Sequence, residues 1–76
     1  MGVNHNHFSK KKLPGSKWTA LDPQQREKHF CVLGWVQYQP DEPLETLELE
    51  AVLTRRRLEL NYRELKDASR WRMGWH

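Results

Sequence analysis

Seventy-six residues with a net charge of +3 and a single cysteine allow only one small domain. With one thiol no intramolecular disulfide can form, which suits the reducing cytoplasm, where we expect this protein to reside. The chain has no apolar run long enough to cross a bilayer and no cysteine–histidine cluster with the spacing of a zinc site. We therefore predict a small basic cytoplasmic protein of bacterial type that is not inserted in a membrane and holds no metal or other cofactor.

The charge is segregated along the sequence. Residues 1–28 carry +4, residues 29–50 carry −5 and residues 51–76 carry +4. Two basic ends can fold onto one face that attracts phosphate, or the acidic middle can simply pair with its basic neighbours. The chain also contains four tryptophans, which is many for its length. Their large rings can supply the hydrophobic core that a small domain otherwise lacks.

The elements before residue 29 are predicted mainly from turn and cap chemistry. Residues 1–12 are polar and basic and predict a disordered tail, so that the domain spans residues 13–76. Asp22 and Pro23 suit a helix N-cap and first helical position, which predicts a short helical turn through about Lys28.

Residues 29–39 are rich in β-branched and aromatic side chains and predict a strand. Gly34 allows a bulge or bend within it. By simple alternation, one face would hold Phe30, Val32, Val36 and Tyr38, and the other Cys31, Leu33 and Trp35.

Residues 44–72 contain neither glycine nor proline, so propensity alone predicts a helix. In a helix, however, Leu49, Leu53 and Leu60 would lie opposite the apolar stripe. A hairpin turning at 54–57 places every apolar residue but Val52 on one side, with the pairs Leu53–Leu58, Ala51–Leu60, Leu49–Tyr62 and Glu48–Arg63. We therefore predict a mainly β fold, with α+β as the alternative: a small antiparallel sheet of about three strands with short helical turns, and a barrel-like closure as one option.

Several blocks of sequence carry a family resemblance in their order and spacing: 17–20, 26–30, 50–54, 63–67 and 71–75. They resemble the small tryptophan-rich bacterial proteins classed as a domain of unknown function, over residues 13–76. The resemblance implies no activity, but it bears on the fold. Relatives carry Pro-Trp where this chain has Asn61-Tyr62, and a proline sits badly inside a long helix, which favours strands. A family role that needs this tryptophan would not carry over to Tyr62.

The sharpest functional signal is the arginine triplet at the predicted hairpin tip, because three adjacent cations repel each other and gain nothing for folding. Guanidinium groups bind phosphate bidentately, so one interpretation of the triplet is a phosphate-binding site. The alternative interpretation is a solvated turn with no ligand. Elsewhere in the chain, cations are adjacent to tryptophans. Proteins that bind single-stranded nucleic acid use this combination, because bases stack on the aromatic rings while cations contact the phosphate backbone. The predicted nucleic-acid-binding residues are Lys10, Lys11, Lys12, Lys17, Trp18, Arg26, Lys28, Arg55, Arg56, Arg57, Arg63, Arg70, Arg72 and Trp75.

The same tryptophans can instead be core, and we expect two or three of the four to be buried and Trp75 to be partly exposed. The sequence thus predicts a non-enzymatic module that binds nucleic acid, RNA first, or an acidic ribonucleoprotein surface. The alternative is a protein–protein adaptor or a small subunit of a larger complex, because tryptophan, tyrosine and arginine dominate interface hot spots. Catalysis is not expected: His29 and Cys31 share a strand face, but nothing positions the histidine to activate the thiol.

Overall fold

The computed structural model describes residues 5–76, which form one antiparallel sheet of five strands. A mainly β fold is confirmed, but the sheet has five strands rather than three and is not closed into a barrel. In the spatial order β4-β3-β2-β1-β5, its strands are β1 (Lys17–Gln24), β2 (Glu27–Val36), β3 (Thr46–Ala51), β4 (Arg57–Asn61) and β5 (Trp71–Met73). The helical elements in this part of the chain are two short 3₁₀ turns, Lys10–Lys12 and Tyr62–Lys66. No helix among residues 5–76 is long and apolar enough to cross a membrane.

One face of the sheet carries the hydrophobic core. Strand β3 shows why: Leu47, Leu49 and Ala51 alternate along it and are buried, while Glu48 and Glu50 point to the other face. The core residues from the remaining strands are Trp18, Phe30, Val32, Leu60 and Trp71. A buried apolar face backed by a polar one is the usual pattern for an antiparallel sheet.

A bulge in β2 changes which side chains reach this core. The β2–β3 register shifts between Val32 and Gly34, as the glycine allowed. Beyond the shift Trp35 pairs with Leu47 and packs edge-on against Tyr62, with their ring centroids 5.8 Å apart. The prediction that Trp35 lies opposite Phe30 and Val32 is therefore wrong, because simple alternation does not survive an inserted residue.

The segment before β1 covers part of the core face. Leu13 is fully buried, and Phe8 packs edge-on against Trp18 at 5.8 Å between ring centroids. The Asn6 amide donates to the carbonyl oxygens of Leu65 and Trp71. Residues 1–4 of the predicted disordered tail lie outside the described residues, and of the rest Asn6, Phe8 and Lys10 contact the sheet.

No helical turn follows Asp22, so that prediction is wrong. Residues 17–24 continue as strand β1, and Gln25 and Arg26 both have positive φ, 55° and 64°. Two such residues flanked by a cross-strand pair form the tight turn that antiparallel strands favour. Pro23 is tolerated because it lies where the β1–β2 register is irregular, so its missing N–H interrupts no regular ladder.

The hairpin predicted within residues 44–72 is present, but the predicted register differs from the observed one by four residues. Leu49 pairs with Leu58 rather than with Tyr62, and Glu48 faces Glu59 rather than Arg63. A shift by an even number keeps every side chain on its predicted face, so alternation alone could not detect it. The turn lies earlier, with Arg55 at φ 64° donating its N–H to the carbonyl of Ala51.

The chain leaves β4 earlier than predicted because a cap stops the strand. The Asn61 side chain accepts a hydrogen bond from the backbone N–H of Arg63, which begins the second 3₁₀ turn. After this turn the chain returns as β5, a three-residue edge strand that the sequence did not predict.

Matched leucine substitutions distinguish the observed register from the predicted one. Leu49→Ala should lower the free energy of unfolding by about 2–5 kcal/mol, because it opens a cavity at a fully buried position. Leu53 is 68% exposed, so Leu53→Ala should cost less than about 0.5 kcal/mol. Urea unfolding followed by circular dichroism measures both. Equal losses would favour the register in which Leu53 faces the core.

Candidate functional site

The two hairpin turns lie at the same end of the sheet because β1 to β4 run alternately up and down. The β1–β2 turn meets the β3–β4 turn there, and the residue before β5 joins them through a hydrogen bond from the Leu21 N–H to the Arg70 carbonyl. Six cations gather at this end from three separate parts of the sequence. We call them the basic end: Arg26, Lys28, Arg55, Arg56, Arg57 and Arg70.

A buried carboxylate holds the two turns together. Glu27 is only 2% exposed and accepts two hydrogen bonds from Arg56 Nε at 3.0 Å and one from Arg56 Nη2 at 2.6 Å. The Thr54 hydroxyl donates to the same carboxylate. These hydrogen bonds, with the guanidinium charge, hold the pKa of Glu27 below its ordinary value. Arg56 is thus a structural ion-pair partner that also borders the surface, with its side chain about half exposed.

The other arginines of the basic end are exposed and differ from Arg56 in their partners. Arg26 and Arg55 are fixed at turn positions with positive φ, so their side chains project from the tips of the hairpins. Arg57 stands opposite Glu50 on the adjacent strand. Among residues 5–76, none of Arg26, Arg55, Arg57 and Arg70 has a carboxylate oxygen within 4.0 Å. Their positive charge is therefore directed to solvent.

A cavity of about 180 Å³ opens within the basic end on the core face of the sheet. Its apolar lining comes from four side chains: Ala20, Phe30, Leu58 and Trp71. Its polar lining comes from Asp22, Gln24, Glu27, Arg56 and Arg70. Because Leu58 and Trp71 belong to the two edge strands, the open sheet must curl for both to reach one cavity.

Sequence reasoning missed the β1 side of this cavity. Asp22 and Gln24 were assigned to a helical turn, although Ala20, Asp22 and Gln24 alternate as a strand face requires. Extending the strand through Pro23 would have placed both polar side chains beside the arginines. Asp22 also adds a negative charge to a surface that was predicted to be purely basic and aromatic.

The tryptophans divide between core and surface, as expected. Trp18 is 1% exposed, and we omit it from the surface predicted to stack on bases. Trp71 is also buried and is accessible only where it lines the cavity. Trp75 is 43% exposed, as predicted. It lies on the opposite face of the sheet from the core, where its indole N–H donates to the Phe30 carbonyl and the Lys17 ammonium sits 4.7 Å from its ring centroid.

The remaining predicted cations are not part of the basic end. Lys10 lies 4.4 Å from the ring centroid of Tyr62, and Arg63 pairs with Glu45 at 3.3 Å. Arg72 stands opposite Thr19 on β5, facing away from the core. Lys11 and Lys12 are exposed on the first 3₁₀ turn, before β1. The structure therefore brings together six of the fourteen predicted binding residues and disperses the others.

Residues 5–76 contain no group of three or more histidine, cysteine, aspartate or glutamate side chains placed to hold a metal ion. His29 and Cys31 are both half-buried on the face that Trp75 covers. One His29 ring nitrogen lies 2.9 Å from the carbonyl oxygen of His76. That nitrogen is therefore engaged with the backbone.

An open antiparallel sheet with a tryptophan-rich core defines this molecule as a small all-β protein. The profile of the tryptophan-rich protein family DUF2389 matches residues 16–76, and the chain belongs to this family, whose function is unknown. No curated protein and no solved structure matches the chain. The family match begins at Ser16, so it includes the whole sheet and the basic end.

Acid should weaken the tie between the two hairpins. The pKa of Glu27 is lowered from 4.5 in the folded chain, so its stabilisation is complete above 4.5 and is lost as the pH falls through the folded-state pKa. Hydrogen bonds from Ser69 also lower the pKa of Asp67, which adds to the same acid loss. Glu27→Gln should therefore flatten, without abolishing, the fall of Tm between about pH 5 and pH 2.

The matched control is Glu64→Gln, which removes an exposed carboxylate that forms no salt bridge among the described residues. This variant should keep the wild-type dependence of Tm on pH, measured by thermal circular dichroism. An unchanged acid loss in Glu27→Gln would contradict the structural role given to the carboxylate.

Proposed function

We propose that this protein binds single-stranded nucleic acid, RNA first, through its basic end, and that it acts as a binding module rather than an enzyme. The observation that carries the proposal is the collection of Arg26, Arg55, Arg57 and Arg70 at one end of the sheet without ion-pair partners among the described residues. Such a group of guanidinium donors attracts phosphate and gains affinity by releasing counterions.

The folded position of the charges supports this proposal more strongly than net charge does. Like charges brought together destabilise the compact state, and a bound polyanion relieves that repulsion. The acidic residues Asp41, Glu42 and Glu45 lie in and beside the β2–β3 loop, which leaves the sheet at the opposite end. These carboxylates therefore lie away from the basic end and do not neutralise it, although Lys10 and Arg63 also lie at their end of the sheet.

A single strand suits this surface better than a duplex does. Two of the cations, Arg56 and Arg70, border a cavity with an aromatic floor, and only an unstacked base can leave its strand to enter such a cavity. We favour RNA over DNA as the ligand because proteins that read RNA sequence mostly target unpaired loops and ends.

The state of the buried carboxylate supports binding rather than catalysis. A general acid needs a proton to give near neutral pH, which requires a raised pKa. The pKa of Glu27 is instead lowered by Arg56 and Thr54, so the carboxylate stays ionised and its oxygens are occupied by hydrogen bonds.

A protein partner is the second candidate, and one observation favours it. Val52 and Leu53 expose adjacent apolar side chains at the β3–β4 turn, and they border a shallow pocket with Arg26 and Lys28. Apolar anchors surrounded by cations suit an acidic protein surface.

Salt dependence of oligonucleotide binding tests the proposed function. On a single strand, each phosphate that a cation neutralises contributes about 0.7 to the slope of log affinity against log salt. The double variant Arg55→Gln/Arg57→Gln should therefore flatten that slope by about 1.4, measured by anisotropy with a labelled oligouridylate. Arg56 is left in place because it holds Glu27.

The matched control is Arg63→Gln/Arg72→Gln, which removes the same charge at positions outside the basic end. This control should leave the slope close to that of the wild type. Equal flattening in the two double variants would show that net charge, not the basic end, governs binding. Absence of saturable binding at about 0.1 M salt would favour the second candidate.

A further inference from the structure

We propose that the cavity at the basic end receives one unpaired guanine base from the bound strand. This inference rests on the proposed function and names what the cavity would select. It draws on three properties of the cavity: its size, its apolar floor and the arrangement of donors and acceptors on its rim.

The size of the cavity limits its occupant to a single flat ring system. Small-molecule sites usually measure about 300–1,000 Å³, whereas this cavity measures about 180 Å³. A whole nucleotide would not be enclosed, so its sugar and phosphate would stay at the mouth. Arg70, which is exposed and lines the cavity, is placed to contact the phosphate there, while the other exposed arginines of the basic end lie beyond the cavity.

The floor of the cavity suits the face of a base. Phe30 and Trp71 pack edge-on with their ring centroids 5.3 Å apart, and Ala20 and Leu58 complete an apolar lining. Burying a ring on such a floor gains apolar contact without leaving buried polar groups unpaired. Ala20 is the smallest of these side chains and keeps the floor open.

The rim offers both kinds of hydrogen-bonding partner. Arg56 uses Nε and Nη2 for Glu27, so its Nη1 is free of hydrogen bonds among the described residues. Arg70 enters from the other edge of the sheet, and its guanidinium donates to no acceptor in the described chain. Between them, β1 contributes the Asp22 carboxylate as an acceptor and the Gln24 amide as both donor and acceptor.

Guanine matches this rim better than the other bases do. Its O6 and N7 accept from an arginine, and its N1–H and 2-amino group are adjacent donors that fit one carboxylate. Adenine, cytosine and uracil lack two adjacent donors on one edge. A carboxylate facing adenine or uracil would also meet acceptor atoms, so Asp22 should discriminate against these bases as well as favouring guanine.

The experiment compares oligouridylate with the same strand carrying one central guanosine, by fluorescence anisotropy at fixed salt. The guanosine strand should bind about tenfold more tightly to the wild-type protein, the expected size of one bidentate contact. Replacing guanosine with inosine, which lacks the 2-amino group, should lower this preference, because one of the two donors to Asp22 is then absent.

Two substitutions test the assignment of residues. Asp22→Asn should remove most of the guanosine preference, because an amide has one acceptor oxygen where the carboxylate has two. Asp41→Asn makes the same charge change at the opposite end of the sheet and should keep the preference. Ala20→Leu should close the cavity and remove the preference. If this variant misfolds, Asp22→Asn still tests the assignment, because Asp22 is exposed and its replacement leaves the core unchanged.

The outcomes separate this inference from the proposed function. Salt-dependent binding with the same affinity for both strands would overturn the guanine site and leave nucleic-acid binding intact. Equal loss of preference in Asp22→Asn and Asp41→Asn would also overturn it, since charge alone would then explain the effect. Failure of both strands to bind would overturn the two proposals together.

Discussion

The buried carboxylate of Glu27 joins the two hairpins, and much of the molecule depends on that junction. An ionised group removed from water is costly unless hydrogen bonds and an opposite charge compensate it. Arg56 and Thr54 supply both, and they come from the β3–β4 turn, which is far from Glu27 in sequence. Because these two side chains reach one carboxylate, the β3–β4 turn is held beside the β1–β2 turn in the observed register.

The same junction gives the three consecutive arginines different roles. The sequence presents Arg55, Arg56 and Arg57 as equivalent cations at a hairpin tip. In the fold, Arg56 turns inward to Glu27, while Arg55 projects from a turn position with positive φ and Arg57 begins β4. A binding surface made from all three would weaken the fold whenever a ligand competed for Arg56. Arg55 and Arg57 can bind without that cost, whereas Arg56 can offer a ligand only its Nη1 without releasing Glu27.

Alternation of apolar and polar residues was sufficient to identify the strands but not their exact pairing. It correctly rejected a helix for residues 44–72, and it identified the strand that begins near His29. It could not distinguish registers that differ by an even number of residues, and it could not follow Trp35 through the bulge at Gly34. The cavity was missed for a related reason. Asp22-Pro23 can begin a helix or continue an irregular strand equally well, and only its pairing with a neighbouring strand decides between the two.

A domain of this size has little apolar surface to spare, which makes a cavity on its core face informative. Residues 5–16 cover one part of the core face, with Leu13 and Phe8 packed against it. Elsewhere on this face a cavity opens beside Phe30, Leu58 and Trp71, although Phe30 and Trp71 are themselves buried. Small domains are stabilised by filling such spaces, and this one leaves the space open and places Arg56 and Arg70 on its rim. Both features oppose stability, and both would be relieved by an occupant with a flat ring and a negative charge, which is the chemistry of a nucleotide.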